Sequence, residues 1–353
     1  MLFPKNTRYF NISRNAARVT IVMVVGLIIF GLGSLTSDNP DKSGAGEDLR
    51  CYRSIVDRIR SGEGYYQAAY SELVSRGYPT GSIFNWRPPL LGWTFGHLPD
   101  LRIALAAAIF LSLFTLWLWV SVSSKELSFG KVAAGSLLLL GAPIYSFSPD
   151  IYLSHEFWAG ALITLSIFSY AKGWRCIALM AGTLSLLTRE LALPFVAVMS
   201  ASSIHDRKYG EAFMWAAGIT IFFIMMLLHS YSLKEFAQPD NIYAFEHWVT
   251  LGGWTFVLET TRMHPYLFLL PVWLTAVLVP LTLLGLSGWR GPLGSRIGLT
   301  VGIYIFIFLF VGQEFNRYWG VVYVNLLPLG LLFTLTVAIN LYDSIINQVK
   351  LTN

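Results

Sequence analysis

Apolar residues along this chain come in long blocks, not in short alternations. Such blocks lie near residues 18–36, 101–123, 129–147, 155–171, 174–188, 191–204, 211–231, 266–287, 297–313 and 319–341. Several reach the roughly 18–20 apolar residues that a helix needs to cross the hydrocarbon core of a bilayer. A chain in lipid must satisfy its backbone polar groups internally, which leaves helices or closed barrels. The pattern predicts an all-α polytopic membrane protein of about ten transmembrane helices, forming a single domain over residues 1–353. Residues 174–204 are the weakest part. Arg189-Glu190 interrupts them, and they read as two short spans or as one broken helix.

Orientation follows from the short polar connections. Lys5, Arg8, Arg14 and Arg18 precede the first block, and Lys125, Lys172, Arg175, Arg207, Lys208, Arg290, Arg296 and Lys350 fall in alternate loops and at the end of the chain. With ten spans all of these share one side, and the bias of Lys and Arg toward the cytoplasm makes that side, with both termini, cytoplasmic. The first block is too long for a signal-peptide core and no small-residue cleavage site follows closely, so it reads as a retained span.

The polar segment 37–100 is then the first outer loop. It starts with the turn-rich stretch Ser37–Gly46, a flexible lead-in by composition. Beyond it Leu49, Tyr52, Val56 and Ile59 recur at spacings of three and four, with Arg50, Arg53, Asp57 and Arg60 as a matching polar stripe. That periodicity predicts an amphipathic helix lying on the membrane surface or against the bundle, stopped at Ser61-Gly62-Glu63-Gly64. A second helix is expected from Tyr65 to Arg76. Asn85-Trp86-Arg87-Pro88-Pro89 then forms a rigid turn, and Trp86 and Trp93 suit a membrane interface.

Composition supports the membrane reading. The chain is 55% hydrophobic and 13% charged, where a soluble domain usually carries about 25% charged residues. Its mean hydropathy is +0.56. The net charge of +5 is spread between the blocks without a basic run, so no nucleic-acid partner is expected. Cys51 and Cys176 fall on opposite sides in this topology, which argues against a disulfide between them.

The ionisable residues left over gather on the outer side. Glu47 and Asp48 open the amphipathic helix. There a carboxylate is favoured by the helix dipole, and the plainer reading of Asp48 is a helix cap. Arg189 and Glu190 lie between strongly apolar stretches, where charge is costly and is either paired or functional. The segment Gly312–Gly320 carries Glu314 and Arg317, and a guanidinium there is suited to a phosphate or to snorkelling toward an interface. Asp150, His155 and Glu156 lie in one short loop, and their spacing is unspecific for a metal. A divalent cation stays open as a cofactor, with no metal ligands assigned. His247 and His264, beside Glu246 and Glu259, occupy the second large outer loop.

The run Glu47-Asp48-Leu49-Arg50-Cys51-Tyr52, followed by Gly62-Glu63-Gly64-Tyr65-Tyr66, resembles the first outer loop of the GT-C superfamily of integral-membrane glycosyltransferases. Thr188-Arg189-Glu190 and Asn316-Arg317-Tyr318 look like further features of that class. The resemblance implies a sugar donor carried on a polyprenyl phosphate, used on the outer (periplasmic or luminal) face; the compact chain favours a bacterial plasma membrane, with the endoplasmic reticulum as the alternative. A glycan, lipid or protein hydroxyl would accept the sugar. It implies Asp48 as the catalytic carboxylate, with Glu47 adjacent. Arg189 and Arg317 are the first choices for the leaving phosphate and Arg87 the third. Glu190, Tyr52, Tyr66, His155 and Glu156 complete the expected substrate-binding set. The rival expectations are a transporter or lipid-linked-sugar flippase, a non-catalytic membrane scaffold, and a polymerase or ligase of surface polysaccharide.

Overall fold

The computed structural model describes residues 7–34, 45–148, 150–236 and 250–350. Most of the lead-in before Ala45, together with Glu246 and His247, lies outside them. The described residues are helical throughout and carry no β-strand, only an isolated antiparallel bridge between Thr7 and Trp289.

The helices in chain order are α1 (Arg14–Ser34), α2 (Ala45–Arg60), α3 (Tyr65–Ser75), α4 (Pro89–Gly96), α5 (Arg102–Ser123), α6 (Phe129–Leu139), α7 (Gly141–Ser146), α8 (His155–Lys172), α9 (Arg175–Thr188), α10 (Leu193–His205), α11 (Tyr209–Leu233), α12 (Gly253–Thr261), α13 (Pro265–Leu269), α14 (Val272–Gly288), α15 (Gly291–Phe310) and α16 (Leu331–Lys350). Among the described residues, six stretches are long and apolar enough to cross a membrane: α1, α5, α6 with α7, α11, α15, and Leu327–Ile346. Helices α9, α10 and α14 are apolar but shorter. The outer faces of α1 and α11 expose Val22, Ile29, Phe213 and Leu227, as helices facing lipid do.

Helix α8 is the central post. Thirteen of its eighteen residues are buried, and a helix covered on nearly all sides must stand inside the bundle. It turns at Gly173 into α9, and Ser166 donates across that hairpin to the Ala178 carbonyl. At Arg189 the backbone becomes extended, and a 3-10 turn over Glu190–Ala192 leads into α10. Phe195 of α10 comes back to pack against Gly182 of α9. Residues 174–204 are therefore two helices folded on one another and not one broken helix.

The ends of the bundle differ in charge. At one end Arg8 donates to Ser295 (2.5 Å), Arg296 pairs with Asp206 (3.0 Å), Lys208 reaches the Tyr170 hydroxyl (3.2 Å), Arg175 pairs with Glu211 (2.5 Å) and Lys172 reaches Ser121. Helix α8 carries the chain from this basic end about 27 Å to His155 and Glu156 at the other. There α2, α3 and α4 lie as a separate layer. Of the apolar stripe on α2, Tyr52, Val56 and Ile59 are buried and Leu49 is half-buried, and Ile55 beside them is buried too. Gly96 of α4 meets Ile59 so closely that a Cβ would come within 2.3 Å of its side chain.

Two expectations change. The last apolar block is not one helix from residue 319. Glu314–Val322 and Leu327–Gly330 are 3-10 segments, and the regular helix starts at Leu331. The chain is threaded between neighbouring backbones here; a Cβ on Gly320 would lie 1.9 Å from the Thr260 carbonyl oxygen. Trp86 is 1% exposed and is not an interface residue, because its indole donates to the Thr80 carbonyl (2.8 Å) inside the loop layer; Trp93 is exposed.

Candidate functional site

Asp48 stands in the first turn of α2. Its carboxylate is turned inward, with 14% of the side chain exposed. It accepts a hydrogen bond from the Tyr78 hydroxyl (2.7 Å) and lies 3.6 Å from Nη2 of Arg87. Those partners come from other parts of the layer, so Asp48 ties loops together and is not a local helix cap. Burial, followed by the negative charge of Asp48 and the hydrogen bond to it, holds the Tyr78 hydroxyl protonated well above its ordinary range. Glu47 faces away. It pairs with Arg50, lies 3.9 Å from Arg76 and is 60% exposed, so only one of the two adjacent carboxylates enters the site.

Arg87 is the hub. It adopts a left-handed conformation, with φ of 58°, between Trp86 and the two prolines. A residue before proline is normally driven to extended backbone. The surroundings hold it there: the Tyr65 hydroxyl donates to the carbonyls of Trp86 (2.5 Å) and Arg87 (3.0 Å). The guanidinium donates to the Tyr52 hydroxyl (2.8 Å), the Tyr318 hydroxyl (3.1 Å) and the Phe84 carbonyl (2.5 Å). Burial opposes its charge, but the surrounding oxygens of Tyr52, Tyr318, Glu156 and Asp48 outweigh that, and Arg87 holds its proton more tightly than a free arginine.

Behind this hub lies a second charged group. Glu156, in the first turn of α8, is 1% exposed. Arg189 is equally buried and brings its Nε to 2.7 Å from Glu156, while its Nη1 pairs with Glu190. Ser154 caps α8 by accepting from the Phe157 amide, and its hydroxyl donates to Glu156 (3.0 Å). The His155 ring meets Tyr52 edge to face, with centroids 4.8 Å apart. Thus Asp48, Tyr52, Arg87, His155, Glu156, Arg189 and Glu190 gather in one polar cluster at the end opposite the basic one.

Arg317 does not join it. Its neighbour Tyr318 does, while Arg317 makes no ion pair among the described residues and its buried Nε has no partner. Asp150 leaves His155 and Glu156 to pair with Arg53 (3.1 Å). Among the described residues no group of three or more His, Cys, Asp or Glu side chains is placed to hold a metal ion. His264 is buried (1% exposed) under α7, against Gly141, and does not face this site.

Tyr66 points to the other flank, where its hydroxyl lies 3.1 Å from Nδ1 of His229 on α11. Beside it opens an apolar crevice of about 530 Å³, lined by Tyr65, Tyr66, Leu90, Trp93, Leu187 and Met225. Three members were not legible as site residues: Tyr78, Tyr318 and His229. Tyr318 stood inside the Asn316-Arg317-Tyr318 motif beside a more conspicuous arginine. Tyr78 and His229 carried no local signal.

No protein-family model, curated protein or solved structure matches the chain.

Proposed function

We propose that this protein is a membrane glycosyltransferase that moves a sugar from a polyprenyl-phosphate donor to an acceptor hydroxyl at the end of the bundle bearing Asp48. The observation that supports it is the meeting of Asp48 with Arg87 in a shielded cluster beside an apolar crevice. A carboxylate, a fixed cation and a greasy channel are what a lipid-phosphate sugar donor requires. In this reading α8, α9, α10 and α14 join the six longer stretches as spans, making ten. The basic end faces the cytoplasm by the positive-inside rule, and the site opens outside.

Asp48 is the general base. It takes the proton of the acceptor hydroxyl as that oxygen bonds to the anomeric carbon. The bond from that carbon to the phosphate oxygen breaks on the opposite face, which inverts the configuration, and polyprenyl phosphate departs. Arg87 meets the charge growing on the phosphate, as a fixed guanidinium does best. This places Arg87 ahead of Arg189 and Arg317. Arg189 is already occupied by two carboxylates, and its role is to hold Glu156 and Glu190 in place. The crevice beside Tyr66 takes the polyprenyl chain.

The experiment is turnover of polyprenyl-phosphoryl sugars by the purified protein in nanodiscs, read as release of polyprenyl phosphate. Asp48→Asn lowers turnover about 10²–10⁴-fold, while Glu47→Gln stays near wild type. Wild-type turnover by Asp48→Asn removes Asp48 from the mechanism. Translocation of the lipid-linked sugar without any release of polyprenyl phosphate turns the assignment to a flippase.

A further inference from the structure

A second apolar crevice, also of about 530 Å³, runs between α6 and α16. Gly130 and Ala134 form its floor, where small side chains let α6 lie low. Leu137, Leu332 and Leu335 form its walls. Tyr266 closes the far end, with its hydroxyl tied to the Leu137 carbonyl (2.7 Å). Leu137 and Leu335 are 63% and 65% exposed, so the crevice opens sideways, where lipid would lie.

Its other end carries a charge. Lys131 lines the crevice one turn from the basic end of the bundle. Its ammonium rests 3.9 Å from the centre of the Phe333 ring and makes no hydrogen bond or ion pair with any described residue. Of the other cations named at that end, Arg175, Lys208 and Arg296 have carboxylates beside them, and Arg8 and Lys172 reach the hydroxyls of Ser295 and Ser121. With only a ring beneath it, Lys131 has its donors free for something outside the protein.

We propose that this crevice binds one phospholipid with an anionic headgroup. The phosphate sits on Lys131 and one acyl chain lies along α6 and α16 toward Tyr266. The apolar walls would accept any acyl chain; it is the unpaired ammonium that selects an anionic lipid over a zwitterionic one. This site shares no residue with the Asp48 cluster or the crevice beside Tyr66 and does not depend on the transferase reading.

The test is lipid binding to the purified full chain in detergent, by native mass spectrometry, with phosphatidylglycerol and phosphatidylcholine of identical chains. Wild type prefers phosphatidylglycerol by about fivefold, the share of one lysine at a charged surface, and salt weakens the preference. Lys131→Gln abolishes the preference. Ala134→Trp fills the crevice floor and removes the bound phosphatidylglycerol. Equal binding of the two lipids by wild type, a preference that survives Lys131→Gln, or unchanged binding in folded Ala134→Trp each overturns the proposal. If Ala134→Trp does not fold, the Lys131→Gln comparison decides alone.

Discussion

Arg87 and Arg189 are both buried arginines beside carboxylates, yet their surroundings assign them different work. Arg189 faces two acids in a closed group, and removing it takes away the cation that pairs directly with Glu156 and Glu190. Losing one partner of a buried pair costs about 3–5 kcal/mol. Arg189→Gln is therefore expected to lower the melting temperature steeply. Arg87 is held by hydroxyls and a carbonyl and meets its acid only at 3.6 Å. Arg87→Lys keeps the charge but not the planar fork that reaches Tyr52, Tyr318 and Phe84 together. It is expected to fold and to lose at least about tenfold in turnover, a loss smaller than the 10²–10³ of a deleted transition-state donor. A variant pair with the opposite pattern would exchange the two roles. Arg189 stood out in the sequence because charge among apolar residues is conspicuous; Arg87, in a polar loop, ranked only third for the phosphate. Which arginine meets Asp48 depends on how a distant turn folds back over α2, and no local pattern encodes that.

The layer of α2, α3 and α4 is the element that presents Asp48, and one carboxylate clamps it. Glu72 of α3 accepts from Arg58 of α2 (2.6 Å) and from Arg76 (3.2 Å), while Arg58 also reaches Glu63 (2.9 Å). Burial alone would raise the Glu72 carboxyl, but the two arginines outweigh it and hold it below its ordinary range. A carboxyl whose value is depressed on folding stabilises the fold fully above the ordinary range, near pH 4.3, and loses that contribution as the pH falls through the depressed value. Hydrogen-exchange protection in α3, taken relative to the intrinsic rate at each pH, is therefore expected to be high at pH 6 and to fall below about pH 4. Glu72→Gln is expected to exchange faster already at pH 6, by the loss of charged hydrogen bonds worth about 1.5–3 kcal/mol. Exchange in α3 that is indifferent to both pH and Glu72→Gln would show that the clamp does not hold the layer. The amphipathic periodicity made α2 legible and the glycines at 62 and 64 marked its end. The clamp itself was hidden, because Arg58, Glu72 and Arg76 meet only after α3 turns back.

At the scale of the whole molecule, most apolar blocks found helices near the expected places, since long apolar runs have few alternatives in lipid, although the block 266–287 divides at Leu270-Pro271 into α13 and α14. The largest departure lies between Glu314 and Gly330, where two 3-10 segments replace a regular helix because Gly320 and Gly330 run against other backbones, a tertiary demand that hydropathy does not carry. The two free cysteines report the topology. Cys176, exposed at the start of α9, lies beside Arg175 at the basic end. Cys51 is buried in the loop layer, with its thiol pushed up to about 12 by burial. A membrane-impermeant maleimide is expected to label Cys176 in inside-out vesicles and not in right-side-out ones, and to leave folded Cys51 unlabelled in both. Labelling of Cys176 from outside would invert the proposed orientation. The most direct measurement for the whole account is a cryo-EM density map of the protein with a bound polyprenyl-phosphoryl sugar. The account predicts the phosphate on the guanidinium of Arg87, the anomeric carbon facing the carboxylate of Asp48, and the chain in the crevice beside Tyr66. Donor density at any other place, with Asp48 and Arg87 still engaged only with each other and with Tyr78, would contradict it.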